Sequence, residues 1–453
     1  MYIGGHHFMN NRVYLSLAIP LTISTMSTPL LGAVDTAVVG KLSDPAYIGG
    51  VAVGTIIFNT MYWLFGFLRV STSAFAAQAE GARDEKQTLM ALIRPFFIAA
   101  IIGLLFIVIQ KPILNVSLGA IGPESDVSAF AADYFGIRIW GAPFALLNYV
   151  ILGWLMGKSR IKTSLFIQVF MNVMNIILCL VFVNGFSWSV SGVAAATLIS
   201  EISAFLLGLW VIRKAVNVPD SFSIREGFDR ASLKKMMVVN RDLFIRTICL
   251  ITVFNLFTAK GATFGTETLA ANAVLIQIHY LMAYCFDGFA NASSLLVGKA
   301  IGSRDINLYK KTLSLSARWG LYASFILAAS YYLFSDEVIL LFTDIPGVIE
   351  LAHEYGLWIV LFPFSAFIGL IFYGVFTGAT EAVPVRNSML LALLAFLFVQ
   401  FMAVPHNGNH GLWLAFLAFS LGRSVFLALY IPRLNRKVTK LMDADSLMKS
   451  SSF

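Results

Sequence analysis

The sequence predicts an all-α polytopic membrane protein, and three observations support this fold class: an apolar composition, few charges and a succession of long apolar segments. Hydrophobic residues make up 58% of the 453 residues and charged residues 12%, against about 25% charged residues in a typical soluble domain. The mean hydropathy is +0.80. A soluble protein of this composition would have too little polar surface. We therefore interpret the length of the chain as a number of membrane spans and not as a number of soluble domains.

Twelve segments are long and apolar enough to cross a membrane, which takes about 20 residues for a helix. The first follows a polar N-terminus and exceeds the apolar core of a signal peptide, so we expect it to stay in the protein. The predicted transmembrane helices lie at 13–39, 46–74, 88–110, 130–156, 163–184, 190–212, 236–258, 266–297, 309–334, 351–378, 385–404 and 411–432.

The distribution of lysine and arginine predicts the orientation. With the N-terminus in the cytoplasm, the inner loops carry most of the basic residues and the outer loops carry only Lys41, Lys111 and Lys260. This asymmetry predicts that both termini are cytoplasmic, because basic loops stay on the inner side of the membrane. Membrane topology therefore explains the net charge of +8. The basic residues are scattered over short loops, which argues against nucleic-acid binding.

The chain divides into two similar halves. We predict an N-terminal lobe at 1–215, a cytoplasmic linker at 216–235 and a C-terminal lobe with a short tail at 236–453. The segment at 79–84 (AEGARD) recurs at 300–305 (AIGSRD), and both copies lie at the inner end of the second span of their half. Six spans per half give both repeats the same orientation, an arrangement that secondary transporters build around a central cleft. Chance similarity between apolar segments is the alternative.

Several classes of chemistry find no support in the sequence. The three cysteines, Cys179, Cys249 and Cys285, lie in apolar segments, so neither a disulfide framework nor a thiolate metal cluster is expected. The chain has no glycine-rich phosphate loop followed by Lys-Ser/Thr and no helical zinc-binding pair. We therefore predict no enzyme activity and no cofactor, and any uphill transport must draw on an ion gradient.

Asp35 is the strongest candidate for a functional residue. It lies toward the outer end of the first span, without a basic residue within a helical turn. A carboxylate held away from water tends to take up a proton or to bind a cation, and ionisable residues inside membranes are costly. The alternative is a structural acid satisfied by neighbouring hydroxyl and amide groups. The other ionisable residues within spans are Arg69, Arg138, Glu201, Asp242, Arg246, Asp287 and Arg423.

Other polar residues in the N-terminal half could complete a site around Asp35. Asn148, Asn175 and Thr197 are embedded among apolar residues of spans four, five and six. Each could equally serve an interhelical hydrogen bond. Pro20 interrupts the backbone hydrogen bonds of the first span, which suits either a hinge or a static kink.

The C-terminal half offers a less defined polar site. Arg246 follows Asp242 by four residues, a spacing that permits an ion pair within one helix, and mutual neutralisation is the interpretation we favour. Asp287 lies in an apolar run and, with Arg246, forms the candidate polar site of this half. Arg423 lies nearer an inner helix end and could extend to the membrane surface.

Besides the two Gly-x-Arg-Asp repeats, four runs of sequence are distinctive: 29–40 (PLLGAVDTAVVG), 192–197 (GVAAAT), 269–275 (LAANAVL) and 287–290 (DGFA). Together they resemble the multidrug and toxic compound extrusion (MATE) family, and the last two resemble its DinF-type branch in particular. The resemblance extends from Arg12 to Pro432 and implies two six-helix lobes around a central cleft, which export drugs in exchange for inward proton or sodium flow.

The resemblance also implies roles for single residues. Asp35 matches the acid on the first helix whose protonation or cation binding drives transport, and Pro20 matches the proline at which that helix bends in some members. The polar partners of that acid match Asn148, Asn175 and Thr197. Cys179 stands where a number of relatives place a second carboxylate, so a proton is favoured over sodium as the coupling ion, with sodium left open.

The function expected from these observations is multidrug efflux by cation-coupled antiport across the bacterial inner membrane. The substrates would be amphipathic, cationic or aromatic small molecules, and we expect a monomer among membrane lipids that binds no nucleic acid. One alternative is a flippase for lipids or lipid-linked precursors, because related two-lobe folds move such substrates. A membrane protein without transport activity is the other.

Overall fold

The computed structural model describes the backbone of residues 10–39, 45–216 and 228–450, and the side chains of 10–26, 46–216 and 228–443. Helices and the turns between them account for nearly all of these residues, and the described ranges contain no strand. The helices of the first half are α1 (Asn11–Val39), α2 (Pro45–Leu64), α3 (Phe67–Gly81), α4 (Glu85–Val108), α5 (Gln110–Ile121), α6 (Ser125–Arg138), α7 (Ala142–Gly157), α8 (Ile161–Leu180) and α9 (Ser189–Ala215).

The second half has longer helices with fewer interruptions. A 3₁₀ turn joins α6 to α7 in the first half, and a π-helical turn extends α8 to Gly185. The helices of the second half are α10 (Arg230–Ala262), α11 (Thr266–Ser303), α12 (Ile306–Leu333), α13 (Ser335–Leu340), α14 (Pro346–Gly378), α15 (Ala382–Ala428) and α16 (Ile431–Ser450).

The predicted all-α fold with twelve membrane helices is confirmed. In the described part of the chain, 9 helical segments are long and apolar enough to cross a membrane. The last of them, Ala382–Asp443, contributes two membrane helices, because Gly408 breaks α15 with φ 51° and ψ −127°. With α1 and α12, the number of membrane helices reaches twelve. Two of the twelve are each built from a consecutive pair of helices, α2 with α3 and α6 with α7.

The chain forms two compact units, which we call the N-terminal lobe (26–234) and the C-terminal lobe (the described residues up to Thr25, and those from Lys235). The start of α1 therefore belongs with the second half of the sequence. Within the C-terminal lobe, the Tyr14 hydroxyl lies 2.9 Å from Ser293 Oγ, and Thr25 Oγ1 donates a hydrogen bond to the carbonyl of Tyr284 at 2.9 Å. The predicted boundaries at 215 and 236 stay a prediction, because linker residues 217–227 lie outside the described part.

The internal repeat has a structural counterpart at its Gly-x-Arg-Asp motifs. Arg83 and Arg304 both adopt left-handed backbone conformations, with φ of 55° and 59°. The next residue caps the following helix in each case: Asp84 accepts a hydrogen bond from the amide of Gln87, and Asp305 accepts one from Leu308, both at 2.9 Å. The shared motif is therefore a helix stop followed by a helix start.

A second repeated feature is a pair of glycines one helical turn apart. Gly153 and Gly157 on α7 pack against the backbone of α3, and Gly374 and Gly378 on α14 pack against the backbone of α11. Without side chains, these positions allow helix backbones to approach closely, as in GxxxG pairs of membrane helices. Because the two glycine pairs are offset along the sequence by the same distance as the two Gly-x-Arg-Asp motifs, the repeat extends to the packing of helices within each lobe.

Candidate functional site

The N-terminal lobe joins two of the predicted site residues directly. Asn175 on α8 donates a hydrogen bond from Nδ2 to Oγ1 of Thr197 on α9, at 2.9 Å. Thr197 Oγ1 donates in turn to the carbonyl of Val193 at 3.2 Å, within its own helix. Both side chains are buried. Asn175 therefore connects α8 to α9 through a buried polar contact, where such a hydrogen bond faces little competition from water.

Asn148 reaches the same helix one turn further along. Its Nδ2 on α7 donates to the backbone carbonyl of Glu201 at 2.9 Å, and Glu201 follows Thr197 by four residues on α9. Residues four apart share a helix face. Among the described residues, Asn148 Oδ1 and Asn175 Oδ1 accept no hydrogen bond. Asn175 and Asn148 thus contact successive turns of α9 and offer two amide oxygens, the kind of group that a protonated acid or a cation binds.

Glu201 belongs to this polar network, although the sequence marked it only as an ionisable residue within a span and did not place it in the site. Its side chain is 7% exposed, and Oε2 has no hydrogen-bond partner among the described residues. The carboxylate lies against Gly141, where a Cβ atom would overlap Oε2. Arg138 stabilises it electrostatically. The spacing of four residues between Thr197 and Glu201 was the signal that could have placed Glu201 in the site.

Arg138 is held by aromatic side chains. Its guanidinium lies 4.6 Å from the ring centroid of Phe58, and Nη1 donates to the Tyr134 hydroxyl at 2.8 Å. The ring of Tyr62, also on α2, has its centroid 5.9 Å from the guanidinium. Rings that face a cation stabilise its positive charge without neutralising it.

The remaining residues predicted for the N-terminal site lie on α1 and α8. Asp35 lies on α1, but its side chain is outside the described part of the chain. Pro20 lies half-buried inside α1, which is helical on both sides of it. Cys179, one turn after Asn175 on α8, is fully buried. At this position α8 therefore contributes a thiol where a carboxylate would be needed for a two-acid site.

The predicted ion pair between Asp242 and Arg246 is wrong. Asp242 is fully buried, and its Oδ1 accepts hydrogen bonds at 2.9 Å from its neighbour Arg241 and from Arg386 on α15. Arg246 instead lies over the ring of Tyr373 on α14, 4.0 Å from the guanidinium to the ring centroid. The Arg386 guanidinium comes from a different helix, so spacing along α10 could not reveal it.

Without an ion pair to Asp242, Arg246 can take part in the second candidate site with Asp287 on α11. The structure adds Arg423, which the sequence did not place in this site. Arg423 on α15 interacts favourably with Asp287 and is repelled by Arg246. Its side chain is only 7% exposed, so the expected extension to the membrane surface is wrong. Two cations and one anion thus interact in the C-terminal lobe: Arg423 is buried beside the buried ring of His279, and Arg246 and Asp287 are half-buried.

Comparison with known proteins assigns the chain to a family. The sequence model of the MatE family matches residues 20–181 and 243–403, which include most of both repeats. DNA damage-inducible protein F of Escherichia coli (strain K12) is 34% identical over 420 residues, covering 92% of this chain and 91% of the relative. The multidrug resistance protein MdtK of Yersinia enterocolitica is 22% identical and covers 95% and 97% of the two chains.

Solved structures agree at the level of the fold. A MATE crystal structure in the bent conformation superposes with a TM-score of 0.84 at 21% identity, covering 96% of this chain and 97% of the other. An outward-facing multidrug resistance MATE family transporter of the MOP superfamily gives 0.83 at 20% identity, covering 94% and 96%. Because the family model spans both halves and the E. coli relative aligns along almost the whole of each chain, the chain belongs to the MatE family of membrane transporters and is not an enzyme.

Proposed function

We propose that the protein exports amphipathic small molecules, cationic or aromatic, from the cytoplasm across the bacterial inner membrane in exchange for inward-moving protons. The observation that carries this proposal is the buried polar network of Asn148, Asn175 and Thr197 in the N-terminal lobe. Relatives named as multidrug resistance proteins align over nearly the full chain, which supports the same class of substrate. We expect a monomer to perform the cycle.

Asp35 is the proposed coupling acid. In the cycle we propose, a proton from outside neutralises Asp35, changes its contacts with Asn175 and Thr197, and weakens substrate binding so that the substrate leaves outward. The neutral amide and hydroxyl groups of Asn148, Asn175 and Thr197 favour a proton over sodium, because α8 offers Cys179 in place of an acid one turn after Asn175. A carboxylate removed from water readily takes up a proton. Sodium coupling is the competing outcome of the test.

The test is flux of the lipophilic cation tetraphenylphosphonium in proteoliposomes. We expect a pH difference alone to drive transport in sodium-free buffer, and a sodium gradient without a pH difference to drive none. Transport that requires sodium and ignores pH would replace the proton with sodium. Absence of transport under both gradients would reject the proposed antiport.

We propose that both termini and residues 216–235 lie in the cytoplasm, following the lysine and arginine asymmetry. In a variant without the three native cysteines, Ser223→Cys should resist an impermeant thiol reagent on intact cells. Ser125→Cys, at the exposed start of α6, should react strongly. The reverse labelling pattern would invert the topology and move Asp35 to the inner half of its helix.

Pro20 is the proposed hinge of α1. Proline withholds one backbone donor, so Pro20→Ala should restore a hydrogen bond, stiffen the helix and slow export several-fold without unfolding the protein. Pro405→Ala is the matched control, because Pro405 is exposed and adjoins the helix break at Gly408. Initial export rates and melting temperatures of both variants measure the effect. An unchanged rate in Pro20→Ala would leave the proline a static role.

A second candidate function, translocation of an anionic lipid or lipid-linked precursor, is favoured by the charges of the C-terminal lobe. Arg246 and Arg423 carry two positive charges near the single negative charge of Asp287. This polar site, with Asp287 and Arg246 as its first members, would suit a ligand that has an anionic group. Movement of a fluorescent anionic lipid between leaflets, faster than the cation flux and lost in Arg246→Gln, would support this function over drug export.

A further inference from the structure

We propose that Glu201 is a second proton-binding carboxylate of the N-terminal lobe, which loads and releases a proton during the same cycle as Asp35. The inference rests on the proposed proton-driven export and adds a residue to it. A proton needs no cavity of its own, so the site requires only a carboxylate, a path of polar groups and a neighbourhood that accepts both charge states.

The position of Glu201 on α9 connects it to the polar network. Thr197 and Glu201 lie one turn apart on the same face of α9. Asn175 donates a hydrogen bond to the Thr197 hydroxyl, and Asn148 donates one to the backbone carbonyl of Glu201. A change of charge at Glu201 therefore acts on the turn of α9 that carries the partners proposed for Asp35.

The surroundings of Glu201 make its ionised state costly. The side chain is more than nine-tenths buried, and Oε2 receives no hydrogen bond from the described residues. Burial of a carboxylate with an unsatisfied oxygen favours the protonated form. Among the described side chains, Tyr62 on α2 and Arg138 on α6 interact electrostatically with Glu201. Arg138 is the only one of them that is a cation, and it favours the ionised form.

Arg138 is also suited to the neutral state of Glu201. In an ordinary buried ion pair, removing one charge leaves the other uncompensated at a large cost. Here the cation retains the Phe58 ring face at 4.6 Å and the Tyr134 hydroxyl at 2.8 Å when Glu201 becomes neutral. Both protonation states of the carboxylate are therefore compatible with the same packing of α2, α6 and α9, which is what a group that cycles between them requires.

The proposed step is a reversible proton transfer. A proton that enters from the outer side binds a carboxylate oxygen of Glu201, which becomes a carboxylic acid and loses its attraction to Arg138. The same O–H bond breaks when the proton leaves to the inner side. With Asp35 also loading a proton, two protons move inward for each substrate exported.

The decisive variant is Glu201→Gln, which keeps the shape of the protonated side chain. Purified wild-type protein in weakly buffered detergent should release about two protons when tetraphenylphosphonium binds, as read by a pH-indicator dye. Glu201→Gln should release about one and should export with an altered pH profile. Glu124→Gln, at an exposed acid before α6, should match the wild type.

A change in rate alone would not support the proposal, because a structural role could cause it. An unchanged proton release and pH profile in folded Glu201→Gln would overturn the inference, whereas failure of the wild-type protein to respond to pH would overturn the proposed function itself. If Glu201→Gln does not fold, Glu201→Asp keeps the carboxyl group and should shift the pH profile of export. An unshifted profile in that variant would equally overturn the inference.

Discussion

Asp35→Asn should abolish export driven by a pH gradient and leave a folded protein in the membrane. The amide has the size of the carboxylic acid but cannot release or take up a proton, so the cycle would stay in its protonated-like state. If the acid is the coupling group, the initial rate of tetraphenylphosphonium export should fall to the level of empty proteoliposomes. Binding of the cation, measured at equilibrium, should persist or weaken modestly.

The control for this variant is an acid outside the proposed site. Asp126→Asn replaces an exposed carboxylate in the first turn of α6 and should export at the wild-type rate. Unfolding of Asp35→Asn can be detected by size-exclusion chromatography and thermal melting, which separate a loss of coupling from a loss of structure. Gradient-driven export by the Asp35→Asn protein would remove Asp35 from the mechanism.

The fold could be predicted from the sequence because its strongest signals are long. Apolar segments long enough to cross a membrane, and a repeat that relates one half of the chain to the other, tolerate errors of several residues at each boundary. These signals could not predict that the start of α1 packs within the C-terminal lobe. The hydrogen bonds of Tyr14 and Thr25 join the start of this helix to α11, whereas an apolar pattern shows only that a helix can lie in the membrane and not which helix it packs against.

The candidate site was predictable where polar residues interrupt apolar helices. Asn175 and Thr197 stood out for that reason, and they are in direct contact. Prediction failed for charges whose partners lie far away in sequence, since Asp242 binds Arg386, 144 residues further along the chain. Only the packing of α10 on α15 brings these two side chains together, and no periodicity in either helix contains that information.

Of the alanine substitutions at the repeated glycine pairs, Gly374→Ala is expected to reduce stability the most. A Cβ atom at Gly374 would overlap the backbone carbonyl oxygen of Ala290 on α11, which cannot rotate away as a side chain could. The two helices must separate, and overpacking of this kind costs about 1–3 kcal/mol, and more where backbone is displaced. We expect a lower melting temperature and a smaller yield of monodisperse protein.

Gly153→Ala tests the same contact in the other repeat, because a Cβ atom there would overlap the carbonyl oxygen of Arg69 on α3. The matched control is Gly136→Ala on α6, where nothing lies within 4 Å of an added Cβ. A helical glycine in open space gains stability from alanine, by roughly 0.5–1 kcal/mol, because the unfolded chain loses conformational freedom. The two repeat glycines and the control should therefore shift the melting temperature in opposite directions. Equal shifts in all three variants would mean that the glycine contacts do not determine helix packing in either lobe.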